Sequence, residues 1–381
     1  MQFALSDEQR AIRDMAQGFA AEKLAGNALA WDQQKIFPVD VMREAAALGM
    51  GGIYVRDDVG GSGMTRLDAA LIFEALATGC PTVAAYISIH NMVAWMIDVF
   101  GSDAQRQAWL PSLCTMDRLG SYCLTEPGSG SDAAALVTRA VRDSDVYVVD
   151  GVKQFISGAG VSDLYVTMVR TGGSGADGIS TLVIEKNTPG LSFGAQERKM
   201  GWNAQPTRQV IFERCRVPVA NRLGPEGVGF RMAMRGLDGG RLNIGACSLG
   251  GAQAALDKSL AYTTDRKAFG QRLSDFQALQ FRLADMATEL ECARTFLWRA
   301  AAALDAGDPE ATRLCAMAKR VATDTGFTVA NDALQLHGGY GYLADYGIEK
   351  IVRDLRVHQI LEGTNEIMRV IIARGLVGRD Q

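Results

Sequence analysis

The residues best suited to chemistry lie near the C-terminus, in the stretch 358–369, His-Gln-Ile-Leu-Glu-Gly-Thr-Asn-Glu-Ile-Met-Arg. Glu362 stands beside Gly363, between one predicted helix over 348–358 and a second over 366–373. Side chains on irregular backbone often face ligands, so Glu362 is a candidate base that takes a proton from a substrate. A structural alternative stays open, because an acidic residue ahead of a helix also stabilises its first turn.

A second candidate is the glycine-rich stretch 122–132, Tyr-Cys-Leu-Thr-Glu-Pro-Gly-Ser-Gly-Ser-Asp. Exposed backbone N–H groups of such a loop can approach an anion closely, which suits a phosphate or a flavin. The stretch lacks the Lys-Ser/Thr ending of a Walker loop, and the pattern predicts neither a strand before it nor a helix after it, as dinucleotide folds require. A tight structural turn is an equal alternative.

Phe155 and Ser157 stand two residues apart on a predicted strand. Because side chains alternate along a strand, both lie on one face. There the ring could stack on a planar cofactor while the hydroxyl reaches the edge of that cofactor. The alternative is a core phenylalanine beside a loop serine.

Three further patterns combine polar residues with glycine. Asp238 and Arg241 are three apart on a predicted helix, close enough to pair, and such pairs are often purely structural. The stretches 266–270 and 335–341 both place glycines at helix ends beside polar side chains. Either stretch holds phosphates or merely turns the chain.

The elements that must position these residues define an α+β chain that is mainly α. Helical periodicity over 1–120 predicts an all-α domain, in which the apolar run 83–100 forms a buried core helix rather than a membrane span. Short β-branched and aromatic segments separated by turn residues predict a middle antiparallel β domain over 121–226. Long helical patterns over 227–381 predict a four-helix bundle, with glycine-rich turns interrupting 230–265.

Composition excludes several classes of function. The 381 residues carry a net charge of −4 and a sequence pI near 5.6, which is no footprint for nucleic acid. Seven scattered cysteines and three distant histidines predict reduced thiols and no metal site. The chain starts directly with a helical pattern and no targeting segment, so we expect a bacterial cytoplasmic protein, or a mitochondrial matrix protein if the source is eukaryotic.

In combination these stretches resemble the acyl-CoA dehydrogenase family of flavoproteins, over essentially the whole chain and in the expected order. The resemblance implies the three-domain fold of that family, a bound FAD, a homotetramer, an acyl-CoA substrate and electron-transfer flavoprotein as electron acceptor. It makes Glu362 the catalytic base. By the same resemblance, residues near substrate are Ser131, Asp238, Arg241, Leu361 and Gly363.

The resemblance also assigns the residues that bind FAD. Those predicted at the flavin, the ribityl chain or the phosphates are Tyr122, Leu124, Thr125, Gly130, Ser131, Phe155, Ile156, Ser157, Thr364 and Glu366. Those in the two other glycine-containing regions, expected to hold the FAD of a neighbouring subunit, are Arg266, Phe269, Gln277, Gln335, Leu336, Gly338 and Gly339.

Within the family, stretches such as 89–92 and 359–363 most resemble members that act on isobutyryl-CoA in valine breakdown. Leu361 stands where many members carry Tyr, and the pair Gly239-Gly240 is expected to remove bulk from the end of the acyl pocket. One subgroup carries its base where this chain has Gly240, which leaves Glu362 for that role. Alternatives are a straight-chain or 2-methylbutyryl-CoA dehydrogenase, an acyl-CoA oxidase, or a binding factor that keeps only the fold.

Overall fold

The protein is described here by a computed structural model that covers residues 4–378. Its N-terminal part is helical, as predicted, and three of its helices begin with a capping box, in which a Ser or Thr at the cap and the residue three positions later bond each other's backbone N–H. The cap residues are Ser6, Thr65 and Ser102. The helices are α1 (Asp7–Phe19), α2 (Ala28–Gln34), α3 (Val39–Ala47), α4 (Arg66–Gly79), α5 (Pro81–Phe100) and α6 (Asp103–Cys114).

Helix α5 lies at the centre of the N-terminal part. By length and composition it could span a membrane, yet 78% of its most apolar window is buried inside the protein. Its polar side chains are satisfied within the core: Asn91 Oδ1 accepts the N–H of Ile53 at 2.7 Å, and His90 Nε2 lies 2.9 Å from the Leu113 carbonyl. These partners make α5 a core helix of this fold, as the sequence predicted.

The middle part of the chain forms one eight-stranded sheet in the order β6-β7-β3-β2-β4-β5-β8, with β1 paired to β4. Most pairings are antiparallel, as predicted, but β1 and β2 both run parallel to β4. The pattern missed β1 because it is only four residues long, and β2 because its sequence Arg-Ala-Val-Arg-Asp is largely exposed. The strands are β1 (Gly120–Cys123), β2 (Arg139–Asp143), β3 (Val146–Ser157), β4 (Leu164–Arg170), β5 (Ile179–Glu185), β6 (Leu191–Phe193), β7 (Thr207–Pro218) and β8 (Arg222–Leu223).

The C-terminal part is helical again, and its first helix is continuous where the sequence predicted glycine-rich turns. The glycines of α7 allow close packing instead: a Cβ on Gly250 would collide with the backbone of Glu74, and one on Gly245 with the side chain of Leu297. The helices are α7 (Gly229–Asp265), α8 (Gln277–Asp305), α9 (Ala311–Leu336), α10 (Ile348–Arg356) and α11 (Asn365–Leu376). A short hairpin, β9 (Lys267–Ala268) with β10 (Gln271–Arg272), joins α7 to α8.

Helix α9 packs against α7, α8, α10 and α11, and α7 also packs against α4 and α5. The bundle and the N-terminal helices therefore share one core. All seven cysteines are free, and six of them are buried. Within residues 4–378, no three His, Cys, Asp or Glu side chains come together in a group that could hold a metal ion.

Candidate active site

Glu362 lies in the short loop between the 3₁₀ turn Val357–Gln359 and α11. Glu362 has φ 55° and Gly363 has φ +87°, so two successive residues adopt the left-handed conformation. That conformation costs a non-glycine residue roughly 1–2 kcal/mol. The N-cap of α11 is Thr364, whose Oγ1 accepts the N–H of Ile367 at 3.2 Å. The structural alternative, in which Glu362 caps the helix, is therefore wrong.

The carboxylate of Glu362 points into the protein. Its Oε2 is buried and has no hydrogen-bond partner within residues 4–378. Burial raises the pKa of Glu362 to about 7, while the positive charges of Arg241 and Lys319 act in the opposite direction. A carboxyl whose pKa lies near neutral pH can accept a proton from carbon and pass it on later.

Gly240 is the residue on α7 that makes room for this carboxylate. A Cβ at position 240 would lie 2.5 Å from Glu362 Oε2 and 3.2 Å from Met92 Sδ, and a Cβ at 239 would collide with the guanidinium of Arg66. The expectation that the two glycines remove bulk from the end of the acyl pocket stays a prediction. Side chains of this protein occupy the space beside both glycines.

Arg66, which sequence reasoning missed, is buried beside this site. Its guanidinium carbon lies 3.7 Å from the centre of the Tyr54 ring and 4.7 Å from that of Trp95. Tyr54 is in turn fixed by a 3.0 Å hydrogen bond from Asn243 Nδ2 to its hydroxyl. Stacking between two rings stabilises a buried cation. In the sequence, Arg66 is distinguished only by its place directly after the cap residue Thr65. That place does not indicate a function.

The predicted pairing of Asp238 with Arg241 is confirmed. Arg241 Nη1 donates to Asp238 Oδ1 at 2.6 Å, and both side chains are buried. Thr312 Oγ1 donates to the other carboxylate oxygen at 2.7 Å, so Asp238 is bonded on both sides. Arg241 Nε is buried without a partner in the described part of the chain. The pair thus fixes Arg241 in place and leaves its buried Nε–H without an acceptor.

A second cluster forms where the glycine-rich stretch meets β3. The first two residues of the stretch, Tyr122 and Cys123, form the end of β1, so a strand leads into the loop, contrary to expectation. Gln154 N–H donates to the Thr125 carbonyl at 2.8 Å, and Ser121 Oγ donates to the Ser157 carbonyl at 2.6 Å. These bonds bring the predicted residues of 122–125 and 155–157 together, whereas Gly130 and Ser131 lie further along the loop and are exposed.

Phe155 is 63% exposed and has φ 59°, at an irregularity in the pairing of β3 with β7. The alternative of a core phenylalanine is therefore wrong. The hydroxyl of Tyr122, on neighbouring β1, is buried without a partner in residues 4–378. Trp202 Nε1 and both ring nitrogens of His358 are also buried and unpartnered there, with the two rings 5.5 Å apart. An exposed ring on β3 and an unpartnered hydroxyl on β1 together suit a flat, polar cofactor.

A third group of predicted residues lies on the surface of the C-terminal part. Arg266 and residues 335–339 line one pocket of about 700 Å³, where the guanidinium of Arg266 lies 5.4 Å from the centre of the Tyr340 ring. Phe269, at the tip of the β9–β10 hairpin, is 96% exposed, and Gln277 is exposed at the start of α8. This group is separate from the Glu362 cluster within the single chain.

The remaining predicted residues lie close to Glu362 in the sequence. Leu361 is half-buried and packs against the main core. Thr364 is the cap described above, and Glu366 is exposed on α11, where Arg369 Nη1 donates to it at 3.4 Å. Leu361 and Thr364 therefore lie on either side of the base in the sequence, and Glu366 follows two residues after Thr364.

Three family models match the chain in sequence: the N-terminal domain of acyl-CoA dehydrogenase over residues 6–117, the middle domain over 121–215 and the C-terminal domain over 227–377. The chain belongs to the acyl-CoA dehydrogenase family. Members of this family are FAD-binding flavoproteins, and the protein is an FAD-dependent oxidoreductase.

Among its relatives is the mitochondrial isobutyryl-CoA dehydrogenase of Bos taurus, 57% identical over 98% of this chain and 90% of the relative. The fold of this chain is similar to that of butyryl-CoA dehydrogenase from Megasphaera elsdenii. The two chains are 37% identical, the TM-score is 0.96, and the match covers 99% of this chain and 100% of the other. It is equally similar to a chain in a structure of the electron transferring flavoprotein of Acidaminococcus fermentans, with 39% identity, a TM-score of 0.97 and 100% coverage of both chains.

The residues present fit FAD. The exposed ring of Phe155 offers a stacking surface, and the unpartnered hydroxyl of Tyr122 offers a hydrogen-bonding group on the adjacent strand. The pocket around Arg266 provides a guanidinium and glycine backbone, which suit phosphate groups. Both kinds of donor set therefore match the chemistry of a flavin adenine dinucleotide.

Proposed function

We propose that this protein catalyses the α,β-dehydrogenation of isobutyryl-CoA to methacrylyl-CoA, a step of valine breakdown, with Glu362 as the base. One observation carries the proposal. The carboxylate of Glu362 is buried and unpartnered, has a pKa of about 7, and stands opposite a glycine that leaves room for it. A structural carboxylate in such a position would be expected to have a partner.

The reaction removes a proton from the α-carbon of the thioester and a hydride from its β-carbon. A thioester α-proton is weakly acidic, so the base must act at short range in a site that excludes water. Glu362 Oε2 accepts the α-proton and becomes a neutral carboxylic acid, which its buried surroundings favour. FAD, when bound, supplies the two-electron acceptor for the hydride.

The charges around Glu362 influence its pKa. Arg241 is held by Asp238, and its positive charge lowers the pKa of Glu362 from the higher value that burial alone would give. We propose that Asp238 and Arg241 also bind the CoA portion of the substrate, together with Ser131 and Gly363. The free Nε of Arg241 supports this role, since a buried donor without a partner favours an acceptor on the ligand.

We propose that the FAD site of each subunit combines the cluster at β1 and β3 with Thr364. We also propose that the protein is a homotetramer, in which the adenosine and phosphates of a neighbouring subunit's FAD bind to the Arg266 pocket, Phe269 and Gln277. The exposure of Phe155, the 700 Å³ pocket and the 96% exposure of Phe269 support this arrangement.

The choice of isobutyryl-CoA rests on relatives and on one side chain. The Bos taurus relative bears that substrate in its name, at 57% identity over nearly the whole chain. Leu361, next to the base, is half-buried and apolar, which suits a short branched acyl group. A single methyl group changes selectivity by only about 1–3 kcal/mol in an apolar pocket, so we expect activity on related short acyl-CoAs as well.

We propose electron-transfer flavoprotein as the electron acceptor, because the chain has nearly the fold of a chain in the Acidaminococcus fermentans structure. We propose that the protein is located in the cytoplasm if the source is bacterial, and in the mitochondrial matrix if the source is eukaryotic, since the Bos taurus relative is mitochondrial.

The test of this function is a comparison of four substrates under anaerobic conditions. Isobutyryl-CoA, butyryl-CoA, isovaleryl-CoA and 2-methylbutyryl-CoA are mixed with separate samples of the FAD-loaded protein, and the bleaching of the flavin band is timed. We expect isobutyryl-CoA to be fastest. If another acyl-CoA is fastest, the substrate is wrong and the reaction stands, and if none bleaches the flavin, the proposed reaction is wrong.

A further inference from the structure

Lys319, on α9, is a buried lysine whose role was not predictable from the sequence. Its side chain is fully buried, and within residues 4–378 the hydrogen-bond acceptors of its ammonium group are uncharged. Its ammonium group donates to two neutral oxygens, the carbonyl of Gly363 and Oδ1 of Asn365, both at 2.8 Å. A buried ammonium group without a carboxylate partner is costly, so its position calls for a reason beyond packing.

The two acceptors of Lys319 lie on the loop that carries Glu362. Gly363 directly follows Glu362, and Asn365 is the first residue of α11. Left-handed backbone at Glu362 persists only where its surroundings fix it. The hydrogen bond from Lys319 to the Gly363 carbonyl holds the peptide just after that position.

Other side chains of α9 hold the same loop on both sides. Asp324 accepts from Gln359 Nε2 at 2.8 Å, before Glu362, and from Asn365 Nδ2 at 2.7 Å, after it. Asn365 Nδ2 also donates to Thr323 at 3.0 Å. Side chains on one face of α9 thus form hydrogen bonds to the loop from residue 359 to residue 365. Among them, Lys319 donates to the Gly363 carbonyl, inside the Glu362–Gly363 turn.

We propose that Lys319 is a positioning residue for the dehydrogenation, which holds the Glu362–Gly363 turn in place and, while protonated, puts a positive charge beside the base. This inference rests on the proposed function, because it needs Glu362 to be the proton acceptor. Lys319 touches no substrate atom in this scheme and acts only through the loop and through its charge.

The charged groups around the pair define the expected pH dependence. Glu362 faces Lys319 from α9 and Arg241 from α7, and both cations lower its pKa. Lys319 itself has its pKa lowered to about 7 by burial, further lowered by Arg241, and raised by Glu362, Asp324 and Glu366. Removing Lys319 takes one cation away from Glu362. Its pKa must then rise, and a smaller fraction of the base is ionised at neutral pH.

The experiment compares three variants of the FAD-loaded protein. Lys319→Met removes the charge and the hydrogen bonds while keeping the length of the side chain, and Lys319→Arg keeps the charge. Lys199→Met is the matched control, since Lys199 also has its pKa lowered by burial, to about 8, and donates to two neutral oxygens, but its charged neighbours are Asp354, Asp32 and Glu197. Single-turnover flavin reduction by isobutyryl-CoA is recorded from pH 6 to pH 9.

We expect Lys319→Met to move the acid limb of the rate profile upward by about one pH unit and to slow reduction at pH 7 about fivefold, because a smaller fraction of Glu362 is then ionised. Lys319→Arg should recover most of the loss, and Lys199→Met should keep the wild-type midpoint. A Lys319→Met profile with the wild-type midpoint would overturn the inference.

A second measurement does not depend on turnover. The infrared carboxyl band that Glu362→Gln removes is titrated in the resting protein, and its midpoint should rise in Lys319→Met and stay in place in Lys199→Met. An unmoved midpoint contradicts the inference even if Lys319→Met is too unstable for kinetics. If Glu362→Gln itself still reduces the flavin, the proposed function fails, and this separates the two outcomes.

Discussion

Glu362 combines two features that cost free energy in the folded state. Its backbone is left-handed, and its carboxylate is buried without a hydrogen-bond partner in residues 4–378. Groups of this kind persist where function requires them, since the same desolvation that destabilises the carboxylate raises its pKa toward the working range of a base. At the scale of the residue, catalysis and stability therefore oppose each other at position 362.

The first prediction concerns that opposition. Because the folded-state pKa of Glu362 is raised from 4.5 to about 7, the folded protein loses stability as pH rises between these values, on the order of 3 kcal/mol above pH 7. Glu362→Gln carries no such penalty. We expect its thermal unfolding temperature to exceed that of the wild type at pH 8, with the difference disappearing near pH 4.5. Glu289→Gln, at an exposed position, is the control and should show no pH-dependent difference.

The second prediction uses the space at Gly240. An alanine there places its Cβ 2.5 Å from Glu362 Oε2, and the flexible end of the glutamate side chain must move. We expect Gly240→Ala to fold normally and bind FAD, but to reduce the flavin at least about tenfold more slowly, because the base is displaced. Gly18→Ala, where a Cβ meets nothing within 4 Å, should leave the rate unchanged. Wild-type reduction by Gly240→Ala would show that Glu362 need not occupy its present position.

At the scale of elements, one buried ion pair connects the glycine-rich loop to the sheet. Lys153 on β3 donates to Glu126 Oε1 at 2.7 Å and to the Leu124 carbonyl at 3.0 Å, and both charged side chains are buried. Burial alone would raise the pKa of Glu126, but Lys153 holds it below its ordinary value. The pair therefore fixes the loop beside Phe155.

The third prediction breaks this pair. Lys153→Met leaves Glu126 buried and unpaired, which we expect to destabilise the protein by about 3–5 kcal/mol and to weaken FAD binding. Unfolding in urea and fluorescence titration with FAD measure the two effects. Arg294→Met breaks the Arg294–Glu74 pair between α8 and α4 and should lower stability without weakening FAD binding. Equal FAD affinity in both variants would contradict a cofactor role for the loop.

The sequence predicted the order of elements where periodicity was strong and failed where tertiary packing overrode local signals. The helices of residues 4–119 and the capping at Ser6 and Thr65 were predictable. The continuity of α7 was not, because glycines that usually mark turns here allow close helix contacts. The domain boundaries at 120/121 and 226/227 stay predictions.

The candidate site was predictable in its residues and less so in its geometry. Glu362 and the Asp238–Arg241 pair stood out by type and spacing. Lys319 and Arg66 did not, since each lies in an ordinary helical pattern and gains its meaning only from contacts with distant parts of the chain, at Gly363 and Gly239. Such contacts depend on the fold and leave no local signature.

At the scale of the whole molecule, the predicted FAD residues form two separate groups on one chain. One lies near Phe155, and the other surrounds the pocket of Arg266 and residues 335–339, beside exposed Phe269. The proposed tetramer, in which each FAD would bridge two subunits, accounts for both groups. Cofactor retention and assembly should then depend on each other.

The fourth prediction tests that dependence. Arg266→Ala removes a guanidinium from the pocket and its contact with Tyr340. We expect faster loss of FAD on dilution and a larger fraction of subunits smaller than the tetramer in analytical ultracentrifugation. Arg299→Ala removes an exposed arginine that also lies over a ring, that of Phe296, and should change neither property. Normal FAD retention in Arg266→Ala would exclude this residue from the site.

The most direct test of the central claim is single-turnover flavin reduction by isobutyryl-CoA in Glu362→Gln under anaerobic conditions. The variant keeps the size of the side chain but loses its negative charge, and with it the ability to accept the α-proton. We predict that it binds FAD and substrate as the wild type does and reduces the flavin about a thousandfold more slowly or not at all. Reduction within tenfold of the wild-type rate would contradict the claim that Glu362 is the base.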